Sequence, residues 1–121
     1  MDTRQEIPDE KMQLLQAGMA KLKLEFVETT RMRVASLDGL MDELYEPDAD
    51  VGKVVDAICQ HAHKLHGQAG AFGFPEIGAQ AARLEKEIID ARDSAPPLNT
   101  ETVEAQLVNL LDQIEASLDA G

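Results

Sequence analysis

Residues 51–75 read VGKVVDAICQHAHKLHGQAGAFGFP, and this stretch decides the fold. Its apolar side chains Val51, Val54, Ile58, Ala62, Leu65 and Ala69 recur every three or four positions, the spacing of one helical face. A half-buried strand would alternate every second residue, and β-branched residues sustain no such run anywhere in the chain. The pattern predicts a helix over about residues 51–72. Gly73 is placed to end it, and Pro75 to open the following helix at its first position.

Downstream, the helix begun at Pro75 carries Ile77, Ala81, Leu84 and Ile88 to about Asp93. The segment SAPPLNT is the clearest loop, after which Asn99 or Thr100 caps a last helix. That helix turns Val103, Leu107, Leu110, Leu111, Ile114 and Leu118 inward. Upstream, Pro47 stops the preceding element, and Asp48 or Asp50 caps the helix that follows. From Pro8 to Tyr45 the residues Leu15, Met19, Leu22, Phe26, Val34, Leu37, Leu40, Met41 and Leu44 keep helical spacing. Such length implies either a short helix leading into a second or one long helix with a bend, weakest at Gly18 or Thr29-Thr30. Residues 1–7 read as a flexible polar tail, leaving residues 8–121 as one domain. Short connections between long amphipathic helices force antiparallel neighbours. The expected fold is all-α: an antiparallel up-down four-helix bundle with an additional N-terminal helix or helix extension.

Composition narrows the function. A net charge of −12 excludes the basic face that a nucleic-acid binder needs. Residues 51–75, which hold all three histidines, carry two basic groups and one acidic group and are the one stretch that is not acidic. The single cysteine, Cys59, excludes an internal disulfide and fits a reducing compartment. No run approaches a membrane span or a secretory signal, so a soluble cytoplasmic monomer is expected.

The reactive side chains cluster in Cys59-Gln60-His61-Ala62-His63-Lys64-Leu65-His66-Gly67. With each residue advancing about 100° and Ile58 set at zero, His61 falls at about −60°. Cys59 and His66 fall together on the other flank, at about 100° and about 80°, and His63 lies well out at about 140°. Gly67 and Gly70 follow His63 at i+4 and i+7. Each glycine in a helix costs roughly 1 kcal/mol relative to alanine, so two on one outer stripe call for a reason. A bare strip of backbone beside an exposed imidazole supplies one, because it lets a partner's surface approach the ring. Imidazole is substantially unprotonated and nucleophilic near neutrality, and can attack a phosphoryl group.

The run His63-Lys64-Leu65-His66-Gly67-Gln68-Ala69-Gly70-Ala71-Phe72-Gly73-Phe74, with Pro75-Glu76-Ile77-Gly78 and the later Arg83-Leu84-Glu85, resembles the signature of histidine-containing phosphotransfer (HPt) domains. His63, Leu65, Gly67 and Gly73 match that pattern in place. The resemblance implies a helical bundle whose His63 accepts a phosphoryl group from an aspartyl phosphate on a response-regulator receiver domain, or returns one to it. It further implies a hybrid histidine kinase or receiver domains as partners, and no cofactor on this chain, the Mg²⁺ being expected on the receiver. Two positions depart from the pattern: His66 stands where the family often has lysine, and Gln68 where a small hydroxyl residue is common. Lys64 lies about 100° round the helix from His63, and with His66, Gln68 and the two glycines completes the expected phosphate or partner contacts.

A rival reading takes Cys59, His63 and His66, at i, i+4 and i+7, as ligands of a metal ion on one helical face. A plain helical interaction module is the second alternative. Autonomous kinase activity is not expected, since the chain has no phosphate-binding GxxxxGK[ST] loop.

Overall fold

A computed structural model of the chain describes residues 9–93 and 99–120. Helix α1 runs Asp9–Glu43, α2 Val51–Gln68, α3 Pro75–Arg92 and α4 Thr100–Ala120, with a 3₁₀ turn at Gly70–Phe72 between α2 and α3. No strand occurs among the described residues. The four helices pack as the expected bundle, with α3 against both α2 and α4, and α1 closing the other side against α2 and α4.

Local chemistry explains the boundaries. Asp50 caps α2 by accepting the Lys53 amide at 3.2 Å, and Asn99 accepts the Glu101 amide at 2.8 Å ahead of α4. Gly73 adopts φ 88°, a left-handed conformation natural to glycine, and Pro75 then starts α3. The α2 helix is shorter than the periodicity suggests. It gives way after Gln68 to the 3₁₀ turn, which places Gly70 just beyond the α-helix rather than on its outer stripe.

The core is made of Leu37, Ile58, Ala62, Leu65, Ile77, Ala81, Leu84, Ile88, Val103, Leu107, Leu110 and Ile114, all at or near zero exposure. Two further α2 side chains, Val55 and Cys59, are also buried, because α3 packs along that flank and widens the inward face. Val51, expected inward, is exposed in the first turn of α2. Leu111 and Leu118 are partly buried against the core.

The N-terminal stretch forms one helix from Asp9 to Glu43 rather than two. Its core contacts begin at Phe26, whose ring stacks on Phe72 and Phe74 at centroid distances of 5.2 and 5.8 Å. Residues 9–25 are exposed throughout, so Leu15, Met19 and Leu22 are not core residues, contrary to the reading from periodicity. The reason is length: the α2–α3 turn ends at the level of Phe26, and α1 continues past it for roughly 25 Å at 1.5 Å per residue. The expected tail over residues 1–7 and most of the SAPPLNT loop lie outside the described residues.

Candidate functional site

The three histidines of α2 take two environments, one facing α1 and one facing α3. Ala62 and Leu65 face the core and fix the helix rotation, so the residues between them are sorted by angle. His61 turns toward α1, where its Nδ1 accepts a hydrogen bond from Arg33 Nη1 at 3.0 Å. A guanidinium can only donate, so this bond requires a lone pair on Nδ1 and a neutral ring. Burial, reinforced by the charges of Arg33 and Lys64, holds the His61 pKa below its ordinary value.

This makes His61 an acid-sensitive joint between α1 and α2. The unfolded chain takes up a proton on His61 near pH 6.5, whereas the folded chain does so only at lower pH. Its contribution to stability is therefore present above about pH 6.5 and is lost as pH falls through the folded-state value. His61→Gln, whose amide oxygen can still accept from Arg33, should flatten the loss of stability below that pH. Urea midpoints at neutral and acidic pH test this, and an unchanged pH slope would refute it.

His63 and His66 sit on the other side of α2, over α3. The His63 side chain is 73% exposed and that of His66 52%. Both rings converge on Glu85 of α3, a carboxylate only 14% exposed. His63 Nδ1–H donates to Glu85 Oε2, and His66 Nδ1–H donates to Oε1 at 3.0 Å. A carboxylate has no proton to give at neutral pH, so the bond fixes a hydrogen of His63 on Nδ1 and makes Nε2 the nitrogen that bears the lone pair of the neutral ring. Burial works against the Glu85 charge, but the hydrogen bonds from His66 and His63 outweigh it and hold the carboxyl below its ordinary pKa.

Register explains how these residues meet. The α2–α3 hairpin folds about Phe74, which is equidistant in sequence from positions 63 and 85. Gly78, buried in the first turn of α3, lies against the end of α2: a Cβ there would stand 3.7 Å from Ala69 Cβ and 3.8 Å from the His66 carbonyl oxygen, ordinary contact distances.

Around this centre the expected contact residues are distributed unevenly. Lys64 is exposed and, with Asp56, Cys59, Gln60, His63, Glu85, Ile89 and Arg92, lines an open recess of about 500 Å³. Gly67 and Gly70 are exposed, and nothing lies within 4 Å of where their Cβ atoms would be. Gln68 is exposed on the next edge of the helix. Glu85 is the residue that sequence reasoning missed as a member of the site, although the run Arg83-Leu84-Glu85 had drawn attention to it. The hairpin symmetry about Phe74 could have found it.

The metal reading loses its geometry. Cys59 is buried, and its thiol pKa is raised by that burial, while the two imidazoles direct Nδ1 to Glu85. Among the described residues no group of three or more His, Cys, Asp or Glu is arranged to hold a metal ion. No helix among them is long and apolar enough to cross a membrane.

Searches among curated proteins and among solved structures return no significant match. The family model of the Hpt domain matches residues 21–117 of the 121. That span runs from the last exposed turns of α1 almost to the end of α4 and includes the whole α2–α3 hairpin. The chain belongs to the Hpt domain family, whose helical bundles act in histidine phosphotransfer within phosphorelays.

Proposed function

We propose that this protein carries a phosphoryl group on Nε2 of His63 between aspartates of receiver domains, with no kinase activity of its own. The observation that carries the reading is the hydrogen bond from His63 Nδ1–H to Glu85, which leaves Nε2 as the nucleophile on the solvent side of an exposed ring. In the uptake step Nε2 attacks the phosphorus of an aspartyl phosphate. The N–P bond forms as the bond from phosphorus to the carboxyl oxygen breaks, and the receiver's aspartate leaves as a carboxylate. Return transfer reverses both changes.

The Glu85 carboxylate offsets the positive charge that develops on the ring as Nε2 bonds to phosphorus, as an oriented carboxylate does for any attacking imidazole. His66 is a positioning residue in this account: it holds the other carboxylate oxygen and so aims Glu85 at His63. This gives the position where relatives often carry lysine a different task. Lys64, on the rim of the same recess, supplies a permanent positive charge near the transferred group. The remaining neutralisation falls to the receiver, which brings the acceptor aspartate and its Mg²⁺. We assign the protein to the cytoplasm, where the free thiol of Cys59 stays reduced.

Transfer from a labelled, phosphorylated receiver domain tests the reading. The label should be acid-labile and base-stable, and ring nitrogen NMR should place phosphorus on Nε2. Glu85→Ala should lower the transfer rate by about a hundredfold, the lower end of what a positioned proton or charge partner contributes. Glu85→Gln should recover little, since the amide restores a hydrogen bond but not the charge. Phosphorylation on Nδ1, or full rates in Glu85→Ala, would sink the proposed division of the ring.

A further inference from the structure

We propose that residues 9–25 of α1 form a dimerisation arm that pairs antiparallel with the same segment of a second copy of this chain. The arm is helical, yet none of its residues is buried. The packed half of α1 nucleates this helix, so the arm needs no partner to form; what it leaves uncovered is its apolar stripe.

The apolar pattern has the form of a two-helix seam. Met12, Leu15, Met19, Leu22 and Phe26 are spaced by three, four, three and four residues, the alternation of a coiled coil. Phe26 is absorbed by the chain's own bundle, but Met12, Leu15, Met19 and Leu22 stand between 39% and 55% exposed. Leu14 and Leu24 lie off the seam. The undescribed residues 1–8 and 94–98 hold Met1, Ile7 and Leu98 as their large apolar groups, too few to cover it.

Charge selects the occupant and its direction. The chain carries −12 overall, whereas the arm holds Asp9, Glu10 and Glu25 against Lys11, Lys21 and Lys23 and is neutral. Two copies therefore attract or repel through the arm according to register alone. In an antiparallel pair centred on residue 17, Met12 faces Leu22 of the second copy and Leu15 faces its Met19. The two flanks of the seam are then each matched to themselves. On one flank, Lys11 meets Glu25 of the second copy, and the two Gly18 residues meet near the two-fold axis. On the other, Gln16 meets Gln16, and Asp9 comes up to Lys23 of the second copy, whose ammonium lies over its own Phe74 ring at 5.2 Å and turns from it to pair. Symmetry doubles both ion pairs. A parallel pair would set Lys11 against Gln16 and Gly18 against Lys23, with no opposite charges matched. A neutral arm also lacks the cationic excess by which amphipathic helices hold anionic membranes. The proposal departs from the monomer expected from sequence, and it leaves the α2–α3 face of each copy free, since the arm extends beyond the α2–α3 turn.

Light scattering and sedimentation of the full chain test it, over about 1 to about 500 μM to bracket the weak affinity of a short interface. The mass should rise from 13.2 kDa toward twice that value. Leu15→Lys with Met19→Lys should weaken association at least about tenfold, with phosphoryl uptake unchanged. Lys11→Glu should weaken it too, and adding Glu25→Lys should restore it. A 13.2 kDa particle at every concentration would overturn the proposal. So would a dimer indifferent to the lysine pair, a charge swap that fails to restore association, or capture of a monomer by phosphatidylserine vesicles.

Discussion

His63→Gln is expected to abolish phosphoryl uptake, lowering acid-labile, base-stable label from a phosphorylated receiver by more than about three orders of magnitude, as removal of an attacking nucleophile does elsewhere. The loss should come without unfolding. The His63 side chain is 73% exposed, so its replacement falls in the class of surface changes that move stability by about 0.5 kcal/mol or less. Glutamine can also donate its amide to Glu85 in place of the ring. His66 provides the internal control. It stands on the same carboxylate at 3.0 Å and is also exposed, so it is the alternative acceptor that the fold offers. His66→Gln should keep the label and reduce only its rate of transfer. If His63→Gln retains label and His66→Gln loses it, the roles of the two rings are exchanged.

Gly67 is expected to separate docking from stability. No atom lies within 4 Å of where its Cβ would stand, and the residue is inside α2. Gly67→Ala should therefore raise stability by about 0.5–1 kcal/mol through helix propensity alone, with transfer reduced mildly. Gly67→Leu should fold as well as the parent, yet transfer at least about a hundredfold more slowly, because a branched side chain one turn from His63 holds a partner off the ring by more than near-attack geometry tolerates. Denaturation midpoints and transfer rates, measured on the same samples, check both halves. Normal transfer in Gly67→Leu would show that the partner approaches from the recess side, over Lys64. Gly70, which opens the 3₁₀ turn, is farther from the ring along the chain and should be more permissive than Gly67.

The helices were legible because each carries its own signals. Asp50, Gly73, Pro75 and Asn99 set boundaries by local chemistry, and the structure places them as that chemistry dictates. The exposure of His63 followed from angle alone. What periodicity cannot report is what covers an apolar stripe. Met12 through Leu22 continue the same spacing as Phe26 through Leu44, and the difference between arm and core lies in where the α2–α3 turn ends. Val55 and Cys59 were hidden for a related reason, since the direction from which α3 packs is not written into α2. Glu85 required the register of two helices, which depends on how many residues the turn consumes. The metal alternative was weakened by the Nδ1 atoms of His63 and His66 pointing to Glu85, again a property of the neighbouring helix and not of the spacing.

The hairpin that brings Glu85 under His63 and His66 bears on how the molecule assembles. The interacting groups are 22 and 19 residues apart, and six residues join α2 to α3. Closing so short a loop is entropically cheap, and contacts between near neighbours in sequence form early. The connections from α1 to α2 and from α3 to α4 are seven residues each, so all three adjacent pairs close over loops of similar length and loop length does not set the α2–α3 pair ahead of the rest.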